Sequence, residues 1–158
     1  MAHNRLSEAE KDALLAEQAA LIERMAARIA ELDLDGAVTL LGAVSEGEVR
    51  RHLLEAHVFA LASWHEPLGV ALMEAMSCEV PTIGTAAGGV AELIRDGQDG
   101  ILVPPRDPPA MVDAILRLAG DPDLARRLGQ AGRERIVSGF GAEAGAETLI
   151  RLVAETRG

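Results

Sequence analysis

The segment HVFALASWHEPLGVALMEAM, residues 57–76, decides the fold of this 158-residue chain. Residues 57–62 form an apolar run without polar alternation, which is typical of a strand covered on both faces. A loop containing Gly69 follows, and the composition after it is helical. A strand, a short loop and a helix in this order indicate one unit of a parallel α/β sheet.

Short apolar segments alternate with helical ones on both sides of this unit. Strands are predicted at Val38–Gly42, His57–Ala62, Val80–Gly84 and Gly100–Pro104. Helices are predicted at Ser45–Glu55, Gly69–Ser77, Val90–Arg95, Pro109–Leu118, Pro122–Val137 and Ala142–Thr156. The alternation predicts a Rossmann-like α/β fold, with a parallel sheet of about four strands and flanking helices.

The residues before the first predicted strand indicate one long amphipathic helix, Ser7–Leu34. Ser7 and Glu10 have the spacing of a capping box, and Asp35-Gly36 is a stop signal. Apolar residues recur at helical spacing: Leu14, Leu21, Met25, Ile29 and Leu32. We therefore predict an N-terminal helix over residues 1–35 and a Rossmann-like domain over residues 36–158, with closing helices over 122–156.

Composition limits the class of protein. Fifteen Lys and Arg against twenty-five Asp and Glu give a net charge of −10, which argues against nucleic-acid binding and against docking on an anionic membrane. The single cysteine, Cys78, has no partner for an intramolecular disulfide. The start has no apolar signal-peptide core, and no stretch approaches the ~18 apolar residues of a membrane span. The expectation is a cytoplasmic protein without direct membrane insertion.

Two glutamates flank the predicted loop–helix junction after the second strand. In parallel α/β sheets ligands bind outside the carboxyl ends of the strands. Backbone N–H groups near Leu68, Gly69 and Val70 are placed to face an anion. Glu66 lies in the loop and Glu74 lies about a turn and a half into the helix, so the two carboxylates could address opposite ends of one polar ligand. The ordinary alternative for each glutamate is a solvated charge or an ion pair.

Other candidates carry weaker signals. Gly88-Gly89 predicts either a tight turn that needs close backbone approach or a contact with a phosphate or sugar. His65 adjoins Glu66 and could titrate near neutral pH, although an exposed loop histidine is the commoner case. No histidine or cysteine spacing suggests a metal site.

These blocks together resemble the C-terminal lobe of family-4 glycosyltransferases, which are retaining, nucleotide-sugar-dependent enzymes of the two-lobed GT-B architecture. The resemblance runs from about Val38 to Val137 and rests on Glu-x7-Glu at Glu66 and Glu74 followed by several blocks in order: Pro81–Thr85, Gly88-Gly89, Glu92–Ile94, Asp96-Gly97, Gly100–Val103 and Asp107. Glu79 departs from the family, whose members usually carry glycine there.

The resemblance implies roles for the site residues. Glu74 would accept hydrogen bonds from the ribose hydroxyls, and Glu66 would contact hydroxyls of the donor sugar as the catalytic-site carboxylate. The N–H groups of Leu68, Gly69 and Val70 would meet the diphosphate. Ala43 and Val44 would border the base, His65, Gly88 and Gly89 are candidate loop contacts, and no metal or other cofactor is required.

By the same resemblance, the sheet order is 3-2-1-4-5-6, with Val38–Gly42 as strand 3, His57–Ala62 as strand 4 and strands 1 and 2 absent. The chain would then be a partial donor lobe that is inactive alone and whose sheet edge takes a partner. The donor would be linked to UDP or GDP, and the partner would be an N-terminal acceptor lobe in another chain or a second copy. Two alternatives stay open: a non-catalytic assembly module that uses the long helix, and another nucleotide-sugar enzyme such as an epimerase.

Overall fold

The computed structural model describes residues 7–141, which fall into two compact units with a boundary between Ser45 and Glu46. The boundary predicted from sequence, between residues 35 and 36, stays a prediction of the domain organisation. The predicted closing helix Ala142–Thr156 lies outside the described residues. No helix within the described range is both long and apolar enough to cross a membrane.

The first unit is dominated by helix α1, Glu8–Glu31. The capping box is confirmed, because Ser7 Oγ accepts from the Glu10 N–H and Glu10 Oε2 accepts from the Ser7 N–H at 2.8 Å. That second hydrogen bond lowers the pKa of the Glu10 carboxyl. The helix ends before the predicted stop at Asp35-Gly36, and Asp33 already has a left-handed backbone (φ +54°). No residue of α1 is buried.

The predicted strand Val38–Gly42 is wrong, since none of its residues enters a sheet. A strand exists only where a neighbouring strand accepts and donates its backbone hydrogen bonds, and apolar composition alone cannot supply that neighbour. Side chains of the segment remain well exposed, with Leu41 at 49%. Gly42 also leaves the extended conformation, with φ at +64°.

The second unit is the α/β part of the chain. Its elements in order are α2 Glu46–Glu55, β1 Phe59–Leu61, α3 Val70–Ser77, β2 Thr82–Thr85, α4 Val90–Leu93, β3 Ile101–Val103, α5 Pro108–Gly120 and α6 Pro122–Gly139. The strands form a parallel sheet in the order β1-β2-β3, in which Ile83 pairs with Ala60 on one side and Ile101 on the other. The alternation of strands and helices is confirmed, with three strands in place of four.

Strand β2 is buried along its whole length because helices cover both faces of the sheet. On one face, Ile83, Ile101 and Val103 pack against α5 and α6. A second cluster joins residues of α3, α4 and α6 with the residue that follows α4: Leu72, Met76, Val90, Leu93, Ile136 and Ile94. This two-sided burial explains why the strands lack polar alternation. In the sequence, Asp107 and Asp121 stand directly before Pro-containing helix starts, which predicts them as N-caps. Both caps are confirmed, since these side chains accept from the Ala110 and Leu124 N–H groups at 3.0 and 2.9 Å.

Helix α6 approaches the loop after α3 through a glycine. A Cβ on Gly129 would lie 2.1 Å from the Glu79 carbonyl oxygen, so no larger residue fits while both backbones stay in place. Glu79 itself has a left-handed backbone (φ +62°), at the position where the family usually has glycine. Its side chain lies 3.6 Å from the Arg133 guanidinium of α6. The contact fixes α6, and through it α3, against the end of the sheet.

We expect Gly129→Ala to lower the unfolding free energy by roughly 3 kcal/mol, because the new methyl group must push two backbone segments apart. Gly139→Ala in the same helix is the matched control, since the nearest atom to its added Cβ is 3.8 Å away, at the end of the Arg135 side chain. The control should change stability by less than about 1 kcal/mol. Urea unfolding measures both, and equal stability of the two variants would contradict the packing described.

Candidate functional site

The loops after β1 and β2 touch at the carboxyl edge of the sheet. The Gly89 N–H donates to the Glu66 carbonyl at 2.8 Å. A Cβ on Gly88 would lie 2.3 Å from that same carbonyl oxygen, and one on Gly89 would lie 2.3 Å from the Pro67 carbonyl oxygen. Of the two roles considered for the diglycine, the structure supports close backbone approach. The contact holds in place the loop that carries Glu66.

The Glu66 carboxylate caps the start of α3. Its Oε1 accepts from the Gly69 N–H at 2.9 Å, and Gly69 takes the left-handed conformation (φ +75°) that favours glycine. Of the three N–H groups predicted to face an anion, the one on Gly69 is thus already used within the chain. Glu66 is half-buried, whereas Leu68 and Val70 on either side of Gly69 are more than half exposed.

A groove of about 460 Å³ runs between α2 and α3, with part of α6 at its wall. Its surface is mainly apolar. The apolar side chains that line it are Val49, Leu53, Leu68, Val70, Met73 and Ile136. A groove of this size and character, with a few charged groups at its walls, has the form of a small-molecule binding site.

Three charged side chains line this groove. Glu74 belongs to α3, and Glu46 and Arg50 belong to α2. Within residues 7–141, neither the Glu74 carboxylate nor the Arg50 guanidinium forms a hydrogen bond or an ion pair with another residue. Both charges are therefore available to a ligand. Glu66 is not among the residues that line this groove, so a common ligand for the two glutamates of the motif stays a prediction.

The remaining sequence candidates lie elsewhere. His65 is exposed in the loop after β1. Ala43 and Val44 belong to the first unit, so their contact with a base stays a prediction. In the part of the chain that the structure describes, no three His, Cys, Asp or Glu side chains are grouped to hold a metal ion.

A second, smaller cavity of about 270 Å³ lies on the α5 side of the same sheet edge. The Arg106 guanidinium lies over the Trp64 ring at 4.3 Å from its centroid, and Trp64 is 71% exposed. Arg106 has a left-handed backbone (φ +61°). The polar neighbours are already used, because Thr85 donates to the Ser63 carbonyl and Asp107 caps α5. This cavity therefore offers mainly apolar surface and one cation.

Sequence reasoning missed the contribution of α2 to the groove. The helix itself was predicted, and the spacing of Glu46, Val49, Arg50 and Leu53 already puts these side chains on one face. What the sequence did not show is that this face lies opposite α3.

The parallel sheet, the loop fixed by the diglycine at its carboxyl edge and the mainly apolar groove beside the following helix define a Rossmann-like α/β domain. Residues 19–135 match the family model "Glycosyl transferases group 1", and the chain belongs to this family. The family predicted from the Glu66 to Asp107 blocks is thereby confirmed.

Known proteins of the family extend well beyond the matched region. The chain is 38% identical over 99 residues to the alpha-maltose-1-phosphate synthase of Mycolicibacterium smegmatis, covering 59% of this chain and 26% of that protein. Among solved structures it resembles sucrose-phosphate synthase from Thermosynechococcus elongatus (34% identity, TM-score 0.77, 87% of this chain and 34% of that one). Anabaena HepE in complex with UDP-glucose has the same fold (21% identity, TM-score 0.76, 85% and 36%). The chain thus spans about a third or less of these proteins.

We expect Gly89→Ala to displace the loop that carries Glu66. Gly89 has right-handed backbone angles (φ −68°, ψ −12°), which alanine adopts without strain, so only the contact with Pro67 is disturbed. Trp64, the only tryptophan, lies in the same loop and reports its environment by fluorescence. The variant should shift the emission of the folded protein and lower the unfolding free energy by about 1–3 kcal/mol.

Gly47→Ala is the control for this substitution, because nothing lies within 4 Å of the added Cβ. It should leave both the emission spectrum and the stability close to wild type. Unchanged emission and stability in Gly89→Ala would show that the two loops do not depend on each other.

Proposed function

We propose that this chain supplies the donor-binding part of a retaining, nucleotide-sugar-dependent glycosyltransferase. The observation that carries the proposal is the Glu74 carboxylate, which lies on a mainly apolar groove about one turn into α3 and has no partner among residues 7–141. Family membership supports it, and so does the shared fold of Anabaena HepE, whose structure holds UDP-glucose.

In this proposal Glu74 accepts hydrogen bonds from the two ribose hydroxyls, which are donors that a carboxylate pairs with well. The diphosphate lies at the start of α3, where Leu68 and Val70 are exposed and the helix dipole favours negative charge. Glu66 contacts hydroxyls of the transferred sugar as the catalytic-site carboxylate. To do so it exchanges its hydrogen bond from Gly69 for one from the sugar.

Sugar transfer needs more than donor binding. The N-terminus of α3 supplies about half a positive charge, which is small against a departing nucleoside diphosphate. The loss of a single stabilising donor costs about 10²–10³ in rate. We therefore propose that the chain alone turns over no sugar nucleotide and that an acceptor lobe, in another chain or brought by self-association, completes the enzyme. The unpaired Cys78 supports the cytoplasm as the compartment.

A second candidate function is a non-catalytic assembly module derived from a glycosyltransferase. The exposed apolar side chains of α1 favour it, with Leu14, Leu21, Met25 and Leu32 each 46–48% exposed. Sedimentation of the chain at several concentrations, combined with nucleotide titration, separates the two functions. A concentration-dependent dimer that binds no nucleotide would favour the module.

We expect Glu74→Ala to weaken UDP and GDP binding at least tenfold in calorimetric titration, because two charge-assisted hydrogen bonds to the ribose are lost. Glu55→Gln is the matched control, since that glutamate is exposed and pairs with Arg51 outside the groove. The wild-type titration is run both without and with EDTA, because the proposed donor site uses no metal. Loss of wild-type binding on adding EDTA would overturn the metal-free proposal, and equal affinities of wild type and Glu74→Ala would overturn the ribose role.

A further inference from the structure

We propose that Arg50 reads the carbonyl edge of the donor's nucleobase and so selects uracil or guanine over adenine. This inference rests on the proposed function and adds to it the class of base. It assigns to α2 a part in specificity that the glutamate motif on α3 does not supply.

The first step is the order of parts in the ligand. A nucleoside diphosphate runs from diphosphate through ribose to base. With the diphosphate at Val70 and the ribose at Glu74, the α3 wall of the groove is occupied by these two parts. The base then lies towards the opposite wall, which α2 forms with Val49 and Arg50. The aliphatic side chain of Val49 offers a flat base an apolar contact beside the guanidinium.

The second step is that Arg50 has no other use in the described part of the chain. The other arginine of α2, Arg51, pairs with Glu55 at 3.0 Å. Arg126 likewise pairs with Asp123 on α6. Arg50 instead lines a mainly apolar groove with its donors unpaired. The Arg50 side chain is exposed at this wall, so a bound ligand can reach its guanidinium from solvent.

The third step is the chemistry of the base edges. A guanidinium only donates hydrogen bonds. Guanine presents O6 and N7 as adjacent acceptors, and uracil presents the O4 carbonyl. Adenine presents an amino group at the same place, so a guanidinium and adenine would bring two donors together. An arginine at this wall therefore favours bases that carry a carbonyl group.

Glu46, one turn before Arg50, is consistent with this assignment. Its carboxylate also lines the groove, and it accepts hydrogen bonds where Arg50 donates them. Ring N–H groups lie next to the carbonyl in both uracil and guanine, whereas adenine has an acceptor nitrogen in that position. The two side chains together match the donor–acceptor pattern of carbonyl-bearing bases.

The experiment measures the affinities of UDP, GDP and ADP for the full chain and for Arg50→Met, which keeps the length and removes the donors. Wild type should bind the better of UDP and GDP at least tenfold more tightly than ADP. In Arg50→Met this ratio should fall below about threefold through weaker UDP and GDP binding, with ADP affinity unchanged. Arg50→Lys, which keeps a donor, should restore part of the ratio. Arg51→Met is the matched control and should behave as wild type.

The outcomes separate this inference from the function on which it rests. Nucleotide binding that depends on Glu74 but shows the same base ratio in wild type and Arg50→Met overturns only the role of Arg50. An equal loss of affinity for all three nucleotides in Arg50→Met would point to the phosphates and also overturns base reading. Absence of binding of any nucleotide to the wild type overturns both proposals. Circular dichroism of each variant confirms that the fold is retained.

Discussion

The contact between the two loops at the carboxyl edge of the sheet determines where the candidate site residues lie. Strand β1 is followed by the segment with Glu66 and Pro67, and strand β2 is followed by Gly88 and Gly89. Parallel pairing of β1 and β2 brings these segments side by side, and only residues without a Cβ allow the observed distance. The position of Glu66 and the start of α3 both depend on this approach.

The parts of the fold that depend on local chemistry could be predicted from the sequence. The capping box of Ser7 and Glu10 and the cap residues Asp107 and Asp121 are satisfied within three residues of themselves. The buried strands show as uniform apolar runs because helices cover both faces. Segment Val38–Gly42 has the same composition but no sheet neighbour, and pairing between distant segments cannot be read from composition.

For the candidate site, the sequence indicated the elements but not how they face each other. Glu74 and the diglycine could be located from their positions after strands. The hydrogen bond between Glu66 and Gly69 depends on a left-handed turn, and the proposed role of Arg50 depends on which face of α2 lies against α3. Such features arise from tertiary packing, which a single sequence does not specify. Gly129 is a further example, since its neighbour is a carbonyl fifty residues earlier in the chain.

The hydrogen bond from the Gly69 N–H to Glu66 also affects which anions this helix start can hold. The Glu66 carboxylate competes with any bound anion for the Gly69 N–H. Its effective concentration is high because only two residues separate Glu66 from Gly69 in the chain. A simple inorganic anion that displaces the Glu66 carboxylate offers it no new hydrogen bond, so such an anion is held weakly. A ligand that carries hydroxyl groups beside its phosphates can engage the released carboxylate, so the displacement costs it less. Under the proposed function, the loop thus favours sugar-bearing phosphates over bare ones through its own internal hydrogen bond.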